Sequence, residues 1–473
     1  MTTWIVPGAP LEGGAGWRIW YSSPGHTDFR PQPPSVSRAG RAEATTQAWR
    51  LLPDLAGLER RMGVLTVTLE AVHPGEVYDI HIPEAGASEP FRWSSLPDAI
   101  GVDGVSFLLA SCFWHDNDRE GTYGAAVREL TKLWHPAFKL LVGDQVYGDW
   151  PADKMPDFTG YPEVEVYADR YGQYWGDPLY RELLQACPTF FACDDHEFWN
   201  DYPERQIHLS RSWPEFRAAY GEAAKGLYER YQQCANPGGQ PWYRFAVGPV
   251  SFFVADSRSQ RDLFNETPAP HFFQEPQWHD LERWARELRG PGVLVLGQPL
   301  FQKDGDWRDH SLSNFTEDYG RLWSIIGSSL SGLNDEGQPH DILVLSGDIH
   351  TGRFAVGRGA GLDAPEGVPE LIASPASMIR PGSKEPEEPD YKFRVRHQGQ
   401  ESAWGVGRDP FMTLDNNVAL VRMLPGTNGR VRFELSLWQI RPYDARSWWD
   451  RVSGEASPGG SLAGLFRKEI ELR

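Results

Sequence analysis

The chain has 473 residues, 40% of them hydrophobic and 23% charged, with a formal net charge of −19 at pH 7. That length can bury a sizeable core and hold more than one domain, and the composition excludes long disorder. The acidic surplus excludes a protein that grips nucleic-acid backbones, because no basic surface is left to displace counterions. Anionic substrates stay open, since bound cations reverse the local field of an acidic protein. Four cysteines, Cys112, Cys187, Cys193 and Cys234, are too few for a disulfide scaffold. Twenty tryptophans mean thick aromatic packing or aromatic-lined clefts. No run reaches the ~18 apolar residues of a membrane span. The opening MTTWIVPGAPLEGG has neither the basic nor the apolar part of a secretory signal, so the chain as given reads as cytoplasmic, or as secreted if a signal was removed.

In chain order, residues 1–98 are rich in Pro and Gly, and strand-like runs at 17–21, 64–70 and 73–83 predict a small N-terminal β-sandwich domain. From residue 99 to about 445, apolar strands alternate with longer helical or loop segments, which predicts a layered α/β core. Helices are expected over 123–133, 215–231, 277–288 and 319–330, and closing strands over 416–423 and 431–437. The stretch 150–180, with Tyr161, Tyr167, Tyr171, Tyr174 and Tyr180, is expected to wall a cleft. KEPEEPD at 384–390 is expected to be a solvated acidic loop, and the tail 446–473 to contain a short helix at 462–472.

Five apolar runs end in polar chemistry. AFKLLVG runs into Asp144 and Tyr147, SFLLA into Ser111 and Cys112, and PTFFAC into Asp194, Asp195, His196 and Glu197. SFFVA leads to Asp256, Ser257 and Arg258, and DILVL to Ser346, Gly347, Asp348 and His350. Buried strands that release polar side chains at their C-terminal ends are where open α/β sheets bind ligands. A carboxylate such as Asp144 can cap a turn, or it can bridge two cations about 3.5–4 Å apart. Three carboxylates and an imidazole in succession repel one another unless a cation holds them, or unless they form a solvated turn. Asp348 and His350, two apart on an extended segment, point the same way and suit two neighbouring metals. Cys112 is a metal thiolate or a small buried hydrophobe, and its neighbour His115 is a further polar candidate. Tyr147 is a ligand for a Lewis-acidic ion or a packed aromatic. Arg258 is a phosphate clamp or a salt-bridge partner. The chain has no P-loop, no GxSxG elbow and no HExxH.

GDQVY, DDHE and GDIH, in that order, resemble the motifs of the calcineurin-like metallophosphoesterases. SC at 111–112, the segment YGQYWGDPLYRELLQACPTFFACDDHE, DSR at 256–258 and PQW at 276–278 narrow the resemblance to the alkaline phosphatase D (PhoD-like) family. It covers residues 105–360 well and extends loosely to an N-terminal β-sandwich. The resemblance implies a layered β-sandwich core flanked by helices. It implies an iron-type site on Cys112, Asp144, Tyr147 and His350, with Asp144 bridging to a second site of Asp195 and Asp348 where family members can use calcium or another divalent ion. Asp194, Glu197 and His115 would stand behind these ligands. His196 would face the phosphate, and Arg258 would clamp a phosphoryl oxygen. The expectation is therefore a phosphomonoesterase or phosphodiesterase in which a hydroxide held by two metals attacks phosphorus. A phosphodiesterase for a larger polymer or lipid is the nearest alternative, and a noncatalytic carbohydrate- or ligand-binding protein with a Trp-rich surface is the alternative of another class.

Overall fold

A computed structural model describes residues 3–25, 29–87, 89–118, 121–149, 163–302, 311–359, 367–377, 385–441 and 462–473. Its centre is a pair of facing sheets. One has six strands in the order Thr189–Ala192, Phe138–Val142, Val105–Ala110, Asn416–Pro425, Val431–Arg441, Ala463–Leu472. The other has nine strands, with Val250–Val254, Gly292–Val295, Ile342–Ser346 and Val368–Ile372 side by side and parallel at its middle. In the first sheet the strands Val105–Ala110, Phe138–Val142 and Thr189–Ala192 are also parallel. Parallel strands buried on both faces read as continuous apolar runs rather than as alternation, which is why FKLLV, TFFA and ILVLS stand out in the sequence.

Phenylalanines fill the space between the sheets. Phe190 stacks on Phe245 with ring centroids 3.9 Å apart, and Phe107 and Phe138 meet Phe252 edge-on at 5.7 and 5.9 Å. The outer face of the six-stranded sheet, through Leu108, Leu141 and Phe191, packs on the helices Thr122–Trp134, Glu163–Gly176, Pro178–Gln185 and Arg217–Tyr231. The outer face of the other sheet, through Phe253, Leu294 and Val344, packs on Glu275–Arg286 and Thr316–Leu330. The result is a sheet-on-sheet core flanked by helices, and all four expected helices form.

Ahead of this core, two four-stranded antiparallel sheets enclose Trp17, Ile19, Tyr21, Val67, Tyr78, Ile80 and Trp93. Trp4, Val6, Trp20 and Val64, on the other face of one of these sheets, share a cluster with the flanking helices. The Trp20 indole donates to the carbonyl of Arg230, and the Gln185 amide donates to the carbonyl of Ile5.

Three expectations are corrected. The tail forms no helix: Ala463–Leu472 is a strand along Val431–Arg441. Ile470 and Leu472 fall on one face at a period of two, so burying that face and completing the ladder outweigh local helix propensity. Tyr167, Tyr171, Tyr174 and Tyr180 are buried core residues rather than a cleft wall, and Tyr161 lies outside the described residues. The acidic loop is solvated only in part over 385–390: Glu385 and Glu388 are exposed, but Glu387 is tied through its N–H to Thr351 Oγ1 and through its carbonyl to Arg353. No described tryptophan is exposed, so packing accounts for the tryptophans among the described residues. Among the described residues no helix is long and apolar enough to cross a membrane, and all four cysteines are buried free thiols.

Lys139 sits in the apolar strand Phe138–Val142, fully buried, with Nζ donating to the carbonyls of Leu184 (2.8 Å), in the last turn of the helix Pro178–Gln185, and Cys187 (2.5 Å), just after it. A cation at that end completes orphan carbonyls and opposes the helix dipole. Burial still pulls its amine down from the ordinary 10.5 to about 8. Between those values the unfolded chain holds a proton that the folded chain has released, so stability rises with pH across that window. Denaturant melts of wild type and Lys139→Met should therefore diverge, in the wild type's favour, by about 3 kcal/mol from pH 8 to pH 10.5. A constant difference would show the amine to be unperturbed.

Candidate metal centre

The parallel strands of both sheets end on one rim. Val105–Ala110 delivers Ser111 and Cys112, Phe138–Val142 delivers Asp144 and Tyr147, and Thr189–Ala192 delivers Asp194 to Glu197. From the other sheet, Ile342–Ser346 delivers Asp348 and His350. Cys112, Asp144, Asp348 and His350 all have positive φ, at 58°, 55°, 72° and 48°. Left-handed backbone costs a non-glycine residue of order 1–3 kcal/mol and persists only where its surroundings enforce it. Two glycines allow the loops to close up. A Cβ on Gly143 would stand 2.4 Å from Asp194 Cβ, and one on Gly347 would stand 2.5 Å from Ser111 Oγ.

The side chains form two sets that share Asp144. Ligand atoms of Cys112, Asp144 and His350 lie within 4.8 Å of one another, as do those of Asp144, Asp194, Asp195 and Asp348. Tyr147 joins the first set, its hydroxyl 3.3 Å from Asp144 Oδ2 and 3.1 Å from His350 Nε2. Cys112 Sγ is 3.4 Å from the same Asp144 oxygen. Burial first, then the crowd of carboxylates, pushes Asp144 well above its ordinary range, and burial does the same to the Cys112 thiol and the Tyr147 phenol. Asp195 Oδ2 accepts the N–H of Asp201, whereas Asp195 Oδ1 is buried with no hydrogen-bond partner among the described residues. A buried orphan oxygen beside three other carboxylates is the environment a cation relieves. The residues present fit metal ions.

Glu197 organises this centre without joining it. Its carboxylate is fully buried and accepts the backbone N–H groups of Asp144 (2.9 Å), Gln145 (2.7 Å) and Asp194 (2.9 Å), together with the Gln232 amide (3.2 Å). One side chain thus ties two ligand loops together, while burial raises its pKa to about 7 against the pull of those donors. Tyr174 and Tyr180 buttress the same loop: the Tyr174 hydroxyl accepts the Tyr147 N–H, and the Tyr180 hydroxyl donates to the carbonyl of Gln145.

His196 is buried, with Nδ1 2.7 Å from Asp149 Oδ1 and its ring 4.2 Å from that of Tyr147. Burial works to neutralise it, but Asp149, Asp195 and Asp144 together prevail and raise its pKa well above the ordinary value. It also lies within ligand reach of Asp144 and Asp195.

Three site expectations change. Arg258 does not present a free clamp: its Nε is 2.7 Å from Asp194 Oδ1, its Nη1 donates to the carbonyl of Tyr202, and both charged side chains are 1% exposed. Asp194 stands in the carboxylate cluster itself rather than behind it. His115 is held away from the cluster by Asp177, 2.6 Å from its Nε2. Two residues that the sequence reading did not single out also belong here. Asp149, two past Tyr147, orients His196, and Gln298 donates to Asp348 Oδ2 at 3.2 Å. Gln298 closes an apolar run, VLVLG, of the same kind as the five noted above.

Removing one partner of a buried ion pair typically costs about 3–5 kcal/mol. Arg258→Met should lose stability on that scale in chemical denaturation, and Arg258→Lys should lose less. A raised KM with unchanged stability would restore the clamp.

A sequence profile of the PhoD-like phosphatase family matches residues 107–331. Those residues belong to the PhoD-like family. The match supports a phosphatase in broad class and a phosphate ester as its substrate. The PhoD-like match runs from the Cys112 strand through the helix Thr316–Leu330 and stops short of Asp348 and His350. A solved structure described as that of PhoD superposes with a TM-score of 0.64 at 17% identity, covering 99% of this chain and 91% of that one. It supports the α/β architecture, including the second sheet that carries Asp348 and His350. A second solved structure, GAP50, described as the anchor in the inner membrane complex of Plasmodium, gives a TM-score of 0.38 at 12% identity. It covers 72% of this chain and 87% of that one. No curated protein matches.

Proposed function

We propose that this protein hydrolyses phosphate mono- or diesters at a two-metal centre. Cys112, Asp144, Tyr147 and His350 would hold one ion, and Asp144, Asp195 and Asp348, with Asp194 beside them, the other. The observation that carries the proposal is the sharing of Asp144 by two donor sets of different character. Thiolate, phenolate and imidazole suit an iron-type ion, and an all-carboxylate set suits calcium or another hard divalent ion. When bound, such a pair supplies positive charge to a phosphoryl group and acidifies a water molecule.

The chain's own residues do the rest. Glu197 fixes the two loops so that Asp144 and Asp194 face each other. Asp149 holds His196 by Nδ1, which leaves Nε2 as the nitrogen that can donate a proton to an oxygen of the ester. Arg258 sets its guanidinium against Asp194 Oδ1 from behind and so opposes the negative charge of the cluster.

Metal analysis of the purified protein, paired with nitrophenyl mono- and diester substrates with and without a chelator, tests this. Bound metal and chelator-sensitive hydrolysis are expected. Metal-free protein with full, chelator-resistant activity would overturn the reading.

A further inference from the structure

Behind the first ligand set, one buried hydroxyl touches two of its members. Ser374 follows the strand Val368–Ile372 and is fully buried. Its Oγ accepts the backbone N–H of His350 at 3.1 Å and lies 3.2 Å from Cys112 Sγ. A hydroxyl carries one proton. A backbone N–H can only donate, so it takes an acceptor position of Ser374 Oγ and leaves the proton for sulfur. The neighbouring hydroxyl, Ser111 Oγ, is 3.5 Å from Cys112 Sγ, but it donates its own proton to the carbonyl of Ala373 at 3.0 Å. It therefore has nothing to give a thiolate. Ser374 is itself fixed, because Asn417 donates its side-chain amide to the carbonyl of Ser374 (2.9 Å) and its backbone N–H to that of Pro375 (2.8 Å).

We propose that Ser374 is a positioning residue for the ion held by Cys112 and His350. Its single hydroxyl donates to the Cys112 thiolate while taking the amide of His350, and so sets both the charge left on sulfur and the placement of the two ligands. The inference rests on Cys112 being a metal ligand. A hydrogen bond donated to a metal-bound sulfur stabilises the thiolate charge and fixes the sulfur's orientation toward the ion, and partners of this kind are worth about 10- to 100-fold in metal affinity.

The test is a Co²⁺ titration of metal-stripped protein, read by the thiolate-to-metal charge-transfer band and by affinity. The set is wild type, Cys112→Ser, Ser374→Ala, Ser374→Thr and Ser374→Cys, each checked for folding by circular dichroism. Cys112→Ser should lose the band. Ser374→Ala should bind Co²⁺ about 10- to 100-fold more weakly, with the band at longer wavelength because more charge stays on sulfur. Ser374→Thr, which keeps the hydroxyl, should restore both properties, and Ser374→Cys, a weak donor, should fall between. A wild type without the band, or a Cys112→Ser variant that keeps it, would overturn the metal assignment itself. A normal band unmoved in Ser374→Ala would overturn only the role of Ser374, as would equal losses in the Ala and Thr variants. Should Ser374→Ala not fold, an unshifted band in Ser374→Cys overturns it instead.

Discussion

Asp144→Asn should abolish phosphate-ester hydrolysis, with at least about a 10³-fold fall in kcat, and should sharply reduce bound metal. The side chain is shared by both donor sets, so its charge would serve two cations at once. Losing several kcal/mol of charge stabilisation in the transition state, ~4 kcal/mol for illustration, corresponds to about 10³-fold. The loop itself should survive. Glu197 holds it through the backbone N–H groups of Asp144 and Gln145, which an asparagine leaves in place. The metal-free variant should even melt at or above the temperature of the metal-free wild type, because a buried carboxylate among carboxylates is removed. Metal content by elemental analysis, turnover and melting curves check the three parts. Wild-type turnover at full occupancy would end the assignment.

His196→Ala should retain both metals yet lose about 10²–10⁴-fold in rate, the range of a positioned general acid or base. Asp149 fixes one face of the imidazole, so the consequences should depend on the leaving group. Esters of acidic alcohols such as nitrophenol need little protonation and should lose least, and alkyl esters most. Asp149→Asn should follow the same order with a smaller loss, since the imidazole remains but its orientation and its bias towards the charged form weaken. If metal falls instead, His196 is a ligand, as its distance to Asp144 and Asp195 permits. A loss equal for every leaving group would mean that it stabilises phosphoryl charge rather than donating a proton.

The parts of the site visible in the sequence are those built by one local rule: an apolar run buried on both faces that stops at a polar residue. That rule locates Cys112, Asp144, Asp195, Asp348 and His350 on one rim, and the sandwich of sheets follows from the same runs. It is silent on where a charge turns after the strand ends. Arg258 looks like a clamp until Asp194, 64 residues earlier, is seen to take its guanidinium. Glu197 reads as one more acid in DDHE, although it faces backbone amides instead of solvent or metal. The tyrosine helix was legible in principle: Tyr167, Tyr171 and Tyr174 are spaced four and three apart, the period of a buried helical face. Ser374 and Gln298 carry no charge and match no motif, and only the fold brings them to Cys112 and Asp348.

Each of the two donor sets draws on both sheets. Cys112, Asp144, Tyr147 and Asp195 extend from the six-stranded sheet, and Asp348 and His350 from the nine-stranded one, with Asp348 236 positions after Cys112. A bound ion would therefore act as a rivet through the sandwich, adding to the apolar packing and the Arg258–Asp194 pair that already join the two layers. Neither layer alone offers a complete set of donors. The chain must bring its distant halves together before it can load, and such long-range closure is slow compared with local folding. Once loaded, the whole interface gains RT ln(1 + [L]/Kd) against separation. The supply of metal during synthesis would then set the lifetime of the fold as well as its activity.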